Sequence, residues 1–256
     1  MNIKKTFYIV LSLLFLTSCV SKKRITYFQF DQVEQAKVSN NYTTIFKPDD
    51  LLQITISASD IDAAKPFNLP AVTFSAASNS IAGAPQQQTY LVDSKGEIDF
   101  PILGKLKIGG KTREQTIDLF KSKLDPDYVK NPTINIRISN FKITVMGDVL
   151  RPGTYTIPNE RITILEAIGL AGDLNISGQR ENILVTREEN GQKNFYRVNL
   201  LSNQIFTSPV YYLQQNDVVY IEPNGPKSQS AGTNQNTGLF VTIGSVLISL
   251  IAVLTR

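Results

Sequence analysis

Gly238 to Leu254 reads GLFVTIGSVLISLIAVL, seventeen positions without a charge, followed by Thr255 and Arg256. A helix of this run measures ~26 Å at ~1.5 Å per residue, just under the hydrocarbon thickness of a typical bilayer. Its pattern says more than its hydrophobicity. Gly238, Thr242, Ser245, Ser249, Ala252 and Arg256 follow one another at spacings of four, three, four, three and four. On a helix they form one stripe, and Leu239, Phe240, Ile243, Val246, Leu247, Leu250 and Leu254 cover the other side. A lone helix in lipid gains nothing from such a stripe. A ring of helices does, because each copy turns small and hydroxyl side chains inward and its apolar side to lipid. The expectation is a transmembrane helix over 238–255. Its competitor is a plain tail anchor, in which the small residues serve helix packing.

Working outward, the rest of the chain has the length and composition of a folded protein. With 256 residues, 42% of them apolar, it can bury a core and accommodates one or two domains plus appendages. The formal charge is +4. Setting aside Lys4 and Lys5, which lie in a segment expected to be removed, leaves 24 basic against 22 acidic residues. That balance gives no reason to expect nucleic acid as a partner. There is no histidine, no tryptophan and a single cysteine. An internal disulfide is impossible, a zinc site of the usual His/Cys kind is excluded, and no metal or cofactor is expected.

The N-terminus reads as a processing signal over residues 1–18. Asn2-Ile3-Lys4-Lys5 is a short basic region, and Phe7 to Leu16 is an apolar run too short to span a membrane comfortably. It ends in Leu16-Thr17-Ser18-Cys19, which resembles the bacterial lipoprotein signal, in which the cysteine is lipidated and becomes the new first residue. The chain's one cysteine sits at this position, so Cys19 is the expected lipidation site and anchor. Val20 and Ser21 follow, without the Asp associated with inner-membrane retention, and the resemblance points to the outer membrane of a Gram-negative cell.

Residues 19–44 are a polar lead-in. Lys47-Pro48-Asp49-Asp50 predicts a turn feeding an alternating strand, Leu51 to Ile56. Residues 57–88 lack any sustained period and read as a surface insertion. Tyr90–Val92 and Glu97–Ile102 flank Asp93-Ser94-Lys95-Gly96 and predict a hairpin, and Pro101–Ile108 predicts a further strand. Thr112-Arg113-Glu114-Gln115 is a capping box opening a helix with Ile117, Phe120 and Leu124 on its buried side, ending before Pro126. Thr133–Ser139 alternates as a strand. These pieces make an α+β unit over 45–140.

A second unit, 141–222, begins with a strand at Phe141–Gly147, a turn at Arg151-Pro152-Gly153 and a return strand at Thr154–Ile157. Thr163-Ile164-Leu165-Glu166 opens a helix closed by Gly172. Strands follow at 182–186, 194–198, 210–213 and 218–221, so the order suggests a small sheet holding one helix in its concave side. Gln214-Gln215-Asn216-Asp217-Val218-Val219-Tyr220-Ile221 echoes Lys47 to Ile54: in both, a turn carrying Asp feeds a buried strand. Pro223 to Thr237 is a linker by composition.

These units resemble the Wza-type outer-membrane polysaccharide export lipoproteins. The first is similar to the polysaccharide export domain through Lys47 to Ile54, Gly96 to Gly104, Ile108-Gly109-Gly110-Lys111-Thr112 and Tyr128-Val129-Lys130-Asn131-Pro132. The second is similar to the soluble-ligand-binding β-grasp domain through Val145-Met146-Gly147-Asp148-Val149, Arg151 to Tyr155, Leu165 to Ile168 and Ala171-Gly172. Two departures stand out: Asp49 replaces the family's turn Gly before Asp50, and Asp173 replaces its second Gly after Gly172. The resemblance implies an α+β fold, one export domain followed by one β-grasp domain, with Asp50, Gly96, Gly147, Pro152, Gly153 and Gly172 as structural turn residues. It also implies a homo-oligomer ring in the outer membrane, its soluble domains in the periplasm. The C-terminal helices then form an α-helical pore for capsular or exopolysaccharide, with Thr242, Ser245 and Ser249 lining it and Phe240, Leu247 and Leu250 facing lipid. The implied partners are the polymer, outer-membrane lipid and an inner-membrane polysaccharide copolymerase, a tyrosine-kinase-like chain-length regulator.

Chemistry competes weakly with this transport reading. Asp93, Glu97 and Asp99 form the best carboxylate cluster, and alternation puts Glu97 and Asp99 on one face of a strand, at a separation that could mimic a glycosidase pair. A solvated hairpin explains them as well. The remaining Ser, Thr and Lys nucleophiles have no recognisable partner, there is no phosphate-binding glycine loop, and no catalytic residue is assigned. Tyr211, Tyr212 and Tyr220 would suit stacking on sugar rings, or equally a core. The alternative they carry is an anchored periplasmic carbohydrate-binding lipoprotein with a tail anchor and no pore.

Overall fold

Alternation of apolar and polar residues sets the first strand, β1 (Leu51–Ser57), which buries Leu52, Ile54 and Ile56 on one face. The computed structural model describes residues 25–29, 42–71, 74–75, 80–81, 86–189, 191–232 and 237–254. The signal segment and Cys19 lie outside the described residues.

After β1 come a single helical turn, α1 (Ile61–Ala64), a 3-10 turn at Lys65–Phe67, and four two-residue strands. These are β2 (Pro70–Ala71), β3 (Phe74–Ser75), β4 (Ser80–Ile81) and β5 (Gln86–Gln87), pairing β2 with β5 and β3 with β4. The expected surface insertion is therefore only partly correct. Ala64 and Phe67 are buried, and the Asn68 side chain both accepts from the Ile56 amide and donates to the Ile56 carbonyl.

The hairpin expected across Asp93–Gly96 is a correction. β6 (Thr89–Leu91) pairs with β1, whereas β7 (Glu97–Phe100) pairs with β8 (Gly104–Lys107). Pro101-Ile102-Leu103 is thus a turn rather than the start of a strand. The Asp93 carboxylate explains the break: it accepts from the amides of Lys95 and Glu97 and turns the chain away. Helix α2 (Arg113–Leu124) carries the expected capping box and buries Thr116, Phe120 and Leu124. It packs against β9 (Thr133–Ile138), giving a sheet of order β6-β1-β9.

The second sheet has the order β11-β10-β16-β13-β14. Its strands are β10 (Lys142–Gly147), β11 (Gly153–Thr156), β13 (Gly178–Glu189), β14 (Gln192–Val198) and β16 (Val218–Pro223). β10 and β16 run parallel; the other pairs are antiparallel. Two-residue strands β12 (Ile162–Thr163) and β15 (Tyr212–Leu213) pair beside it, so the strand expected over 210–213 is shorter than its pattern. Helix α3 (Ile164–Leu170), again with a capping box, turns Ile164, Ala167 and Ile168 into the sheet. One apolar cluster runs through both sheets, from Phe46 to Ile221.

The C-terminal part departs twice from expectation. Half of the predicted linker is helical, α4 (Gly225–Gly232), started by the Asn224 side chain accepting from the Lys227 amide. The terminal run does form a helix, α5 (Thr237–Leu254). Among the described residues, however, no helix is long and apolar enough to cross a membrane, and the transmembrane span is corrected accordingly.

Candidate functional site

Two turns of the same design meet where the sheets join. In the first, the Lys47 amide donates to Asp50 Oδ2 at 2.8 Å, and Asp49 sits at φ +69°. In the second, the Gln214 amide donates to Asp217 Oδ2 at 2.8 Å, and Asn216 sits at φ +65°. The sequence echo is thus a shared backbone device: a carboxylate holds the turn's first amide while a short polar residue takes the left-handed position. The turns also touch, since Lys47 Nζ donates to Gln214 Oε1 at 3.0 Å and to the Glu188 carbonyl at 3.1 Å. Asn140 and Gln215 close the junction. Asn140 accepts from the Leu51 amide, and Gln215 accepts from the Lys142 amide while donating to the Asn140 carbonyl.

The electrostatic settings of the two turns differ. Asp217 is fully buried and receives Arg187 through Nε at 3.0 Å and Nη2 at 2.7 Å; Arg187 also donates to the Tyr212 carbonyl. Burial still raises the Asp217 carboxyl, with Arg187 opposing. Asp50, 1% exposed, has no such cation, and its Oδ1 has no hydrogen-bond partner. Burial pushes its carboxyl up to about 6, only partly offset by the Lys47 amide.

A third connection had no sequence signal. Glu160 is buried at φ +55°, ion-paired to Arg113, and accepts from the Ile138 amide at 2.8 Å, while the Tyr42 hydroxyl donates to its carbonyl. Beside it opens a polar groove of about 420 Å³ lined by Arg113, Asn135, Arg137, Asn159 and Glu160 among others. Its residues come from a helix, a strand and a loop far apart in the chain, so no local motif could announce it.

The carboxylates weighed for catalysis are used otherwise. Asp93 holds its turn, and the backbone amides of Glu97 and Lys95 keep its carboxyl below the usual range. Glu97 lies opposite Lys107, and Asp99 opposite Lys105, across β7 and β8. Tyr211 and Tyr212 are occupied too. Tyr212 packs edge-on against Tyr42 and Tyr211, and Arg161 covers its ring at 4.8 Å. The adjoining cavity, lined in part by Tyr42, Lys47 and Tyr212, has about 20 Å³, room for roughly one water and not for a sugar.

Among the expected turn residues, Gly147 has the strictest requirement. At φ +95°, a Cβ would lie 2.0 Å from the Ile221 carbonyl oxygen, so the parallel β10–β16 ladder admits only glycine there. Gly96 and Gly172 also have positive φ, whereas Gly153 does not and has open space around it; Pro152 is exposed. Asp173 sits at φ +74°, so both positions where Asp replaces the expected Gly are left-handed.

On α5, Thr242, Ser245, Ser249, Leu247 and Leu250 are all exposed; the side chain of Phe240 lies outside the described residues. Ser245 donates to the Thr242 carbonyl and Ser249 to the Ser245 carbonyl, each at 2.8 Å. These hydroxyls are satisfied within their own helix.

Comparison with known proteins places this geometry. Residues 38–139 match the family model described as polysaccharide biosynthesis/export protein, and residues 141–221 match the SLBB domain. The EPS I polysaccharide export outer membrane protein EpsA of Ralstonia solanacearum is 30% identical over 148 residues, covering 56% of this chain and 38% of that protein. The protein of the same description from Ralstonia nicotianae is 32% identical over 112 residues, 42% of this chain and 29% of the relative. The chain thus spans well under half the length of the curated relatives it matches. With an export domain model and an SLBB model matched in succession, the chain belongs to the Wza-type polysaccharide export proteins.

Proposed function

We propose that the chain is an outer-membrane lipoprotein that assembles into a ring and passes a capsular or exopolysaccharide outward without chemistry of its own. Cys19 carries the lipid anchor, the export domain (45–140) and β-grasp domain (141–222) stand in the periplasm, and the C-terminal helices gather into an α-helical exit. Thr242, Ser245 and Ser249 face the pore, and Phe240, Leu247 and Leu250 face lipid. Energy comes from an inner-membrane polysaccharide copolymerase. The relatives named as polysaccharide export outer membrane proteins support this reading.

The observation that carries it furthest is the state of α5 in the single chain. Ile243, Val246, Leu247, Ile248 and Leu250 are each about half or more exposed, on one short helix that none of the described residues covers. Contiguous apolar surface of this kind marks a membrane or subunit contact. A helix a few ångströms short of the bilayer core is accommodated by local thinning and by oligomerisation.

The internally bonded serines favour one rival, a tail anchor with a dry stripe. Cysteines at Thr242, Ser245 and Ser249 separate the two: for a conduit they react with a water-soluble thiol reagent while those at Leu247 and Leu250 do not. Equal protection at all five positions overturns the pore. The assembly itself is tested by the oligomeric state of the mature protein after mild detergent extraction, where a monodisperse monomer contradicts the ring. Deletion of the gene abolishes surface polysaccharide while its repeat units are still made; normal export would sink the assignment.

A further inference from the structure

The groove beside Glu160 is built from both units of the chain, and most of its polar groups are open. Arg113 stands at the start of α2, Asn135 and Arg137 on β9, and Asn159 and Glu160 on the loop between β11 and β12. In the sheet order β6-β1-β9, β9 is an edge strand. The Ser139 amide donates to the Leu51 carbonyl and antiparallel pairing alternates, so Arg137 and Asn135 turn their backbone groups toward β1. Those of Ile134, Ile136 and Ile138 therefore point away from β1. Glu160 takes only the last of these amides, at 2.8 Å. Ile134 and Ile136 line the groove with their outward backbone groups open.

The charges are unequally engaged. Glu160, the one carboxylate in the lining, is committed twice, its Oε1 to the Ile138 amide and its Oε2 to Arg113. Arg137 is exposed and, among the described residues, forms no hydrogen bond or ion pair. Arg113 is about a third exposed, and its Nε is buried without a hydrogen-bond partner. The carboxamides of Asn135 and Asn159 are likewise bonded to no described residue. Guanidinium donors suit a carboxylate, carboxamides suit hydroxyls, and the apolar floor at Ile117 and Pro158 suits C–H faces. A carboxylated sugar carries all three. The groove's volume of about 420 Å³ falls within the ~300–1,000 Å³ range of small-ligand sites. A peptide strand fits less well: with the Ile138 amide taken, only Ile134 and Ile136 remain open on the edge, and strands usually pair over about five or six residues.

We propose that this groove binds a carboxylate-bearing sugar segment, a uronate stretch of the exported polymer, with Arg137 and Arg113 on the carboxylate and Asn135 and Asn159 on the hydroxyls. The proposal rests on the polysaccharide export reading above and adds to it a preference for acidic polymers. Because Arg113 and Glu160 meet across the groove from the two domains, a ligand seated there contacts both.

The test uses the full-length protein in detergent and oligosaccharides carrying a fluorophore at the reducing end, followed by anisotropy. Hexagalacturonate and a hyaluronan hexasaccharide are expected to bind tighter than neutral maltohexaose by about tenfold or more. Arg137→Gln, which breaks no hydrogen bond or ion pair among the described residues, weakens both acidic ligands by about tenfold or more. Lys193→Gln, the same charge change on exposed β14, alters them by less than about twofold. Equal affinity for acidic and neutral oligosaccharides, or equal losses in the two variants, overturns the site. Tighter binding of labelled hexaglutamate gives the groove to a polypeptide and overturns the sugar assignment. Absence of binding, with surface polysaccharide still lost on deletion of the gene, removes the groove and leaves export standing. Surface polysaccharide unchanged by the deletion overturns export, and with it the polymer as ligand.

Discussion

Lys47–Asp50 and Gln214–Asp217 have the same backbone, the same amide-to-carboxylate bond and the same left-handed third residue, yet their carboxylates live in different surroundings. Asp217 lies under a bidentate Arg187, whereas Asp50 is as deeply buried with one oxygen unpaired and a carboxyl raised to about 6. The difference teaches that a turn motif fixes the chain path without fixing the electrostatics. Those depend on what the neighbouring strand supplies. β13 passes an arginine over the second turn, and the first receives only a lysine that reaches past it to Gln214.

The sharpest way to break this comparison is to remove both carboxylates. Asp217→Ala strands a buried guanidinium, and its expected cost is ~3–5 kcal/mol. Asp50→Ala loses one turn hydrogen bond but also a poorly solvated charge, and its expected cost is about 1 kcal/mol or less. Urea unfolding of the two variants measures both; equal losses would show that the turns are electrostatically alike after all.

Gly147→Ala comes next, with about 3 kcal/mol expected from a left-handed φ and the Ile221 carbonyl in the way. Gly153→Ala, at the other end of the β10–β11 turn and in open space, is expected to stay within about 0.5 kcal/mol. Thermal unfolding of the pair checks whether the expected glycine positions really divide in this way.

Asp50 also gives a pH signature. Its folded carboxyl titrates at about 6, above an unfolded value of ~3.9, so between these limits the native state holds more protons. Stability contributed by Asp50 is therefore full below pH ~4 and is lost as pH rises through ~6, an effect on the order of 3 kcal/mol. Glu160 and Asp217 are raised as well and slope the same way. The difference in unfolding free energy between wild type and Asp50→Asn, measured from pH 4 to 7, isolates the Asp50 share. A flat difference would mean that Asp50 is ionised at no cost.

The smallest expected effect is at the bridge between the turns. Lys47→Met removes two hydrogen bonds from a half-exposed amine and should cost about 0.5–1 kcal/mol. Denaturant midpoints read it, and a larger loss would make this contact a main fastening between the sheets.

How much of this was legible in advance differs from element to element. The capping boxes at Thr112 and Thr163 are legible because a cap is satisfied by residues three positions away. The Asp turns were visible as an echo for the same reason. The hairpin over Asp93–Gly96 is not legible, because alternation on either side of a turn does not say which strands will pair; β6 pairs with β1, and β7 with β8. Helix α4 was hidden in a stretch of Gly, Pro, Ser and Gln whose composition suits a linker. It forms where Asn224 caps it and Lys227 reaches Asp148.

The chain's own sequence settled the local devices: the alternating strands, the capped helices, the left-handed Asp positions, and the uncharged terminal run with its stripe of small residues. Each rests on interactions within a few positions, where steric and hydrogen-bonding rules act on the residue types themselves. Tertiary structure alone decided the Arg187–Asp217 and Arg113–Glu160 pairs and the unpaired carboxyl oxygen of Asp50. Those depend on desolvation and on partners distant in sequence, which become defined only when the sheets pack.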